Sequence, residues 1–287
     1  MNNKNMVDER FELAALIFRL AGRYEYNFTR NNYQKEVAET FKEFANHETV
    51  KYVNANSFIG MGYVLKFAIH IEKKDSGFTF IEDISFPLSK KWGDLWSEAK
   101  TRDFLPLFNK FYIDTNYAEF YNSHIPYFEE ITQKFIDETY GAIDFEWFGK
   151  YIDPSNLRCI FSPSSEPCNY GTWIHDKIFY CLVSNDGSAI THEYCHNFGD
   201  TLGCKWYEEN PEFKKWCDDS VNLEKLKQYG EGQTMACEYV TRAYDILYKV
   251  QHGGDLEKAL LQEKNHEFES SFPYIEEVYK MILELEK

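Results

Sequence analysis

Residues 191–200 read Thr-His-Glu-Tyr-Cys-His-Asn-Phe-Gly-Asp. At 3.6 residues per helical turn, His192 and His196 stand one above the other on a single face, where both imidazoles reach one metal ion. Glu193 lies about 100° round the same helix, close enough to take a proton from a water held there. This is the HExxH arrangement. With 8 histidines in 287 residues, chance alone places this pattern in roughly 2% of such chains, so the surroundings must strengthen it.

The phasing does so. Tyr194, Cys195, Phe198 and Leu202 form an apolar back, while Ala189, Gly199 and Gly203 share the histidine side and are expected to leave open room over the metal. The plain alternative is an amphipathic helix whose histidines face solvent or accept core hydrogen bonds.

A tetrahedral catalytic zinc takes three protein ligands and keeps one position for water. Asp200 cannot be the third, because eight residues carry it about 12 Å along the helix from His192. The longer HExxHxxGxxH pattern holds through Gly199 and then meets Leu202, which cannot ligate. A glutamate further on is the remaining common solution, and by spacing Glu224, Glu231, Glu238 and Glu257 all qualify. Glu238 shares a polar edge with Arg242, Asp245 and Lys249, opposite Ala236, Val240, Ala243 and Leu247. A Glu–Arg pair at that spacing is also what a solvated salt bridge looks like.

Outward from this helix, VDERFELAALIFRLAG from residue 7 has apolar residues at 11, 13, 16, 17 and 20 and ends on Gly22, predicting a helix with a glycine stop. Helical patterns follow at about 30–45 and 57–72, then from 92 to about 150 as packed helices broken near Pro106 and Pro126. LRCIFSP (157–163) and KIFYCLVS (177–184) predict strands separated by the loop SSEPCNYG, and Asn185-Asp186-Gly187 turns the chain into the metal helix. The tail from His266 reads as a closing amphipathic helix. The expected fold class is α+β and mainly helical: a helical N-terminal lobe over 1–152 and a metal-binding lobe over 153–287, or one continuous domain.

VDERFELAALIFRLAG, Glu25-Tyr26-Asn27, Asn169-Tyr170-Gly171, HEYCH and EYVTRA (238–243) together resemble an uncharacterised bacterial HExxH family, a domain of unknown function placed among gluzincin-like zinc metallopeptidases. The similarity spans nearly the whole chain. It implies a zincin-like lobe with a small β-sheet, the HExxH helix and a later glutamate-bearing helix. It also implies that His192, His196 and Glu238 hold Zn²⁺. Glu193 would then act as general base in hydrolysis of peptide or protein substrates. Arg242, one turn beyond Glu238, and Tyr170, in the loop before the helix, are candidates for contacting substrate or the developing oxyanion. By analogy with zincins, KIFYCLVS or the NYG loop could receive substrate as an added strand. Two other readings stay open: a zinc-binding interaction module with vestigial catalysis, and a metallohydrolase acting on something other than peptides.

Composition narrows the partners. The formal charge of -16, from 47 acidic and 31 basic residues, repels phosphate backbones and anionic lipid, so no nucleic-acid partner is expected. No run approaches the roughly 20 apolar residues that span a bilayer, so no membrane insertion is expected either. Seven cysteines without a CxxC pair read as free thiols in a reducing compartment. The expected location is cytoplasmic as written, or secreted or periplasmic if a leader was removed. His47, His70, His124, His175, His252 and His266 lack partners at ligand spacing and read as structural or solvated.

Overall fold

A computed structural model describes residues 6–56, 62–75, 77–81, 97–166, 168–174, 178–184, 189–265 and 272–287. In chain order the helices before the first strand are α1 (Glu9–Leu20), α2 (Asn32–Phe41), α3 (Glu48–Ala55) and α4 (Gly62–Ile69). A hairpin, β1 (Ile71–Lys74) with β2 (Gly77–Phe80), precedes α5 (Glu98–Asp114), α6 (Tyr117–Ser123), α7 (Ile125–Glu138) and α8 (Phe145–Phe148). Then come β3 (Leu157–Phe161), β4 (Tyr170–Ile174) and β5 (Ile178–Val183), followed by α9 (Ile190–Glu209), α10 (Pro211–Ser220), α11 (Gly232–Gln251), α12 (Leu256–Lys264) and α13 (Ile275–Leu285). Among the described residues the fold is mainly helical with two small sheets, consistent with the expected α+β, mainly helical class.

Two compact units form, and they do not coincide with the 1–152 and 153–287 division. The first comprises Met1–Ile143 with Asn156–Ile190, and the second Asp144–Ser155 with Thr191–Lys287. The sheet β3–β5–β4 therefore groups with the N-terminal helices, while α8 groups with the C-terminal ones.

In the first unit α1 is the central element. Asp8 caps it by accepting from Arg10 N at 2.9 Å, and Gly22 follows its end at φ +71°, the glycine stop that the sequence predicts. Phe11 through Arg19 are all buried, which makes Glu12 a carboxylate inside the core. It is bound there by the hydroxyls of Ser162 and Ser164, the latter at 2.6 Å, and burial pushes it up to about 7 against the pull of those bonds.

Pro126 opens α7 at its first turn, but Pro106 does not break α5 as expected. Thr101, Phe104, Leu105, Phe108, Phe111 and Tyr112 give α5 a continuous buried face, and that packing outweighs the hydrogen bond the proline omits.

The three-stranded sheet also departs from expectation. β5 lies in the middle, parallel to β3 and antiparallel to β4. Both its edges are hydrogen-bonded, so KIFYCLVS cannot take a further strand. Tyr170 and Gly171 of the expected NYG loop are instead the first two residues of β4, an edge strand that the Tyr-Gly pair disguises as a turn. The turn at 185–188 lies outside the described residues.

Candidate metal centre

Within the second unit, α9 is anchored by its apolar back. Tyr194 and Cys195 are fully buried, and Tyr194 meets Phe148 edge-on at 5.6 Å. Phe198 stacks on Tyr151 at 4.3 Å and meets Tyr244 at 4.8 Å. The segment 144–155 that supplies these rings is clamped in turn: Trp147 Nε1 donates to Gln251 Oε1 at 2.6 Å, and Asp144 N donates to the Tyr248 hydroxyl at 2.9 Å.

The histidine side of α9 is not open along its length. An added Cβ on Gly199 would stand 2.6 Å from Thr241 Oγ1, and one on Gly203 would stand 2.7 Å from the Ala236 carbonyl oxygen. No other residue type fits this seam, and α11 packs into it backbone to backbone. Thr191 Oγ1, donating to Asp245 Oδ1 at 2.6 Å, ties the start of α9 to the same helix. These contacts set Glu238 over the two histidines.

Glu238 is 8% exposed. Its Oε2 lies 3.8 Å from His192 Nε2 and its Oε1 3.7 Å from His196 Nε2. One ligand atom from each of the three residues falls within 4.8 Å of the others. Ligands about 2.1 Å from one tetrahedral ion stand about 3.4 Å apart, and each histidine has a glutamate oxygen, a different one for each, within about 0.4 Å of that spacing. The rival glutamates Glu224, Glu231 and Glu257 are all exposed.

Supporting groups complete the arrangement. His196 Nδ1 donates to Asp200 Oδ1 at 2.8 Å, with Thr241 Oγ1 3.3 Å from the same nitrogen, which turns Nε2 toward Glu238. Arg242 Nε stands 3.5 Å from Glu238 Oε2, while its Nη1 donates to Glu263 Oε2 at 2.7 Å and its guanidinium lies 4.3 Å over Phe272. Among the described residues Glu238 Oε2 accepts no hydrogen bond, a buried anionic oxygen still short of a partner.

The electrostatics agree. Burial, together with the charges of Arg242 and His196, holds His192 well below the usual histidine range and so keeps it neutral. Burial also opposes charge on His196, but Asp200, Glu238 and Glu193 overcome it and raise that group to about 10. Glu193, 7% exposed, is pushed up to about 7 by burial, with Glu238 and Asp200 adding to the effect and His196 opposing it.

Of the residues picked out from sequence, His192, Glu193, His196, Glu238 and Arg242 are gathered on α9 and α11. Arg242 is engaged with Glu238, Glu263 and Phe272, so it positions a candidate ligand. Tyr170 belongs to the first unit, on β4, with its hydroxyl bonded to that of Tyr26. Asp200, dismissed as a ligand, emerges as the partner of one; its i, i+4 spacing from His196 is the signal that could have shown this. Glu263 and Thr241 carry no such signal. His47, His70, His124 and His252 hold local bonds to backbone or carboxylate groups, and His175 and His266 lie outside the described residues.

Comparison with known proteins finds no matching family model, curated protein or solved structure. Among the described residues no helix is long and apolar enough to cross a membrane.

Proposed function

We propose that the chain is a zinc-dependent metallopeptidase of gluzincin-like plan. His192, His196 and Glu238 would hold the ion and Glu193 would serve as general base. The reading is carried by Glu238: a buried carboxylate, placed between two imidazoles by a glycine seam, with one oxygen lacking a hydrogen-bond partner. The ion, when bound, polarises a peptide carbonyl and makes water acidic enough to react near neutral pH. Glu193 would accept a proton from the attacking water and return it to the leaving amine. Asp200 fixes the His196 tautomer, and Arg242 orients Glu238.

The test joins metal analysis to cleavage. Purified protein is expected to carry about one zinc per chain and to cut members of a mixed peptide library in a chelator-sensitive way. Glu193→Gln should keep the zinc and lose at least about 100-fold in rate. Undiminished cleavage by Glu193→Gln rejects the general-base role. Tight zinc without cleavage of any peptide leaves the interaction module, or hydrolysis of another substrate class, as the function.

A further inference from the structure

The seam that brings α11 against α9 also brings two thiols together. Cys204, next to Gly203 on α9, has its Sγ 3.5 Å from Cys237 Sγ on α11. The backbones nearly touch here, since a Cβ on Gly203 would lie 2.8 Å from Cys237 Cα. A disulfide needs its sulfurs about 2.05 Å apart and its Cβ atoms about 3.8 Å apart, so closure asks for an adjustment of about 1.5 Å at the sulfurs. Cys204 is half-buried and reachable, and Cys237 is 7% exposed behind it.

The pair adjoins the candidate metal centre through Cys237. Cys237 immediately precedes Glu238, and its Sγ also contacts the backbone oxygen of Asp200 at 3.5 Å. Asp200 in turn holds His196. Drawing Cys237 toward Cys204 therefore releases one contact to Asp200 and displaces the backbone that carries Glu238.

We propose that Cys204 and Cys237 form a reversible disulfide with a low-molecular-weight disulfide as oxidant, and that this bridge weakens metal binding at His192, His196 and Glu238. The second half rests on the metal-site reading. The Cys204 thiolate attacks one sulfur of the oxidant RSSR, making a mixed disulfide and expelling RS⁻. The Cys237 thiolate then attacks the Cys204 sulfur, and the bond to the remaining SR group breaks. Two cysteine thiols are oxidised, one RSSR is reduced, and the two thiol protons end on two RSH.

The full chain is treated with oxidised glutathione, denatured, titrated for thiols and mapped by peptide mass. The free-thiol count should fall from seven to five, with one peptide pair joined through 204 and 237. Recovery of both residues as free thiols overturns the proposal, whatever the other cysteines do. Zinc affinity is then measured by competition with a chromophoric chelator. The bridged form should bind about tenfold or more weakly, as expected when a ligand's support is disturbed. Dithiothreitol should restore binding, and Cys204→Ala should be indifferent to the oxidant. Equal affinity in bridged and reduced forms overturns the coupling. If the reduced chain binds no zinc, the metal-site reading fails, while the peptide map still decides the bridge.

Discussion

Glu238 is the residue on which the centre turns, and its neighbours divide the work around it. Glu238→Gln should lower zinc affinity by more than the about 10–100-fold that an outer partner contributes, and Asp200→Asn should fall within that range; both are read by chelator competition. Arg242→Ala is a different case. It leaves buried Glu238 and half-buried Glu263 without their shared cation, so urea denaturation should show a loss of about 3 kcal/mol. His192, Glu193 and His196 were legible because two residues four apart on a helix must face the same way. Spacing does not single out Glu238, since Glu224, Glu231 and Glu257 also lie at permissible distances in sequence. What separates them is burial against a partner helix, which no local pattern records.

That choice is made by elements. Alanine normally favours a helix over glycine by about 1 kcal/mol, so Gly203→Ala would stabilise α9 in isolation. Against α11 the new methyl meets the Ala236 carbonyl, and overpacking of this kind costs about 1–3 kcal/mol. Gly203→Ala should therefore lower the melting temperature and weaken zinc binding together, although it touches none of the three ligands. Glycines on the histidine side of a helix suggest space there; the space is filled by α11, the helix that carries Glu238. Pro106 and the Tyr170-Gly171 pair misled for a related reason. Each is a local breaker overruled by its surroundings, a buried aromatic face in α5 and a hydrogen-bonded neighbour in β5.

Across the whole molecule, acid should stabilise rather than destabilise one part of the core. Glu12 binds its proton more tightly folded, near 7, than unfolded, near 4.5. Between those values the folded state holds the extra proton, so the group costs nothing below pH 4.5 and its penalty grows as pH rises through 7. The full difference is roughly 3 kcal/mol. Glu12→Gln should therefore gain stability relative to the parent at pH 8 and little at pH 5, measured by urea denaturation at both. A parallel shift at the two pH values would refute this account of Glu12.

The segment 144–155 has one more consequence, for the order in which the protein is made. It leaves the ribosome before the strands that complete the first unit, yet its own partners, Tyr194, Phe198 and the end of α11, are synthesised up to about a hundred residues later. Until then Phe145, Trp147, Phe148 and Tyr151 form a nascent aromatic stretch with nothing of its own unit to rest on, a natural docking point for a holdase. Ribosome-bound chains halted before residue 190 should bind such a chaperone through this stretch, and chains extended past residue 251 should let it go.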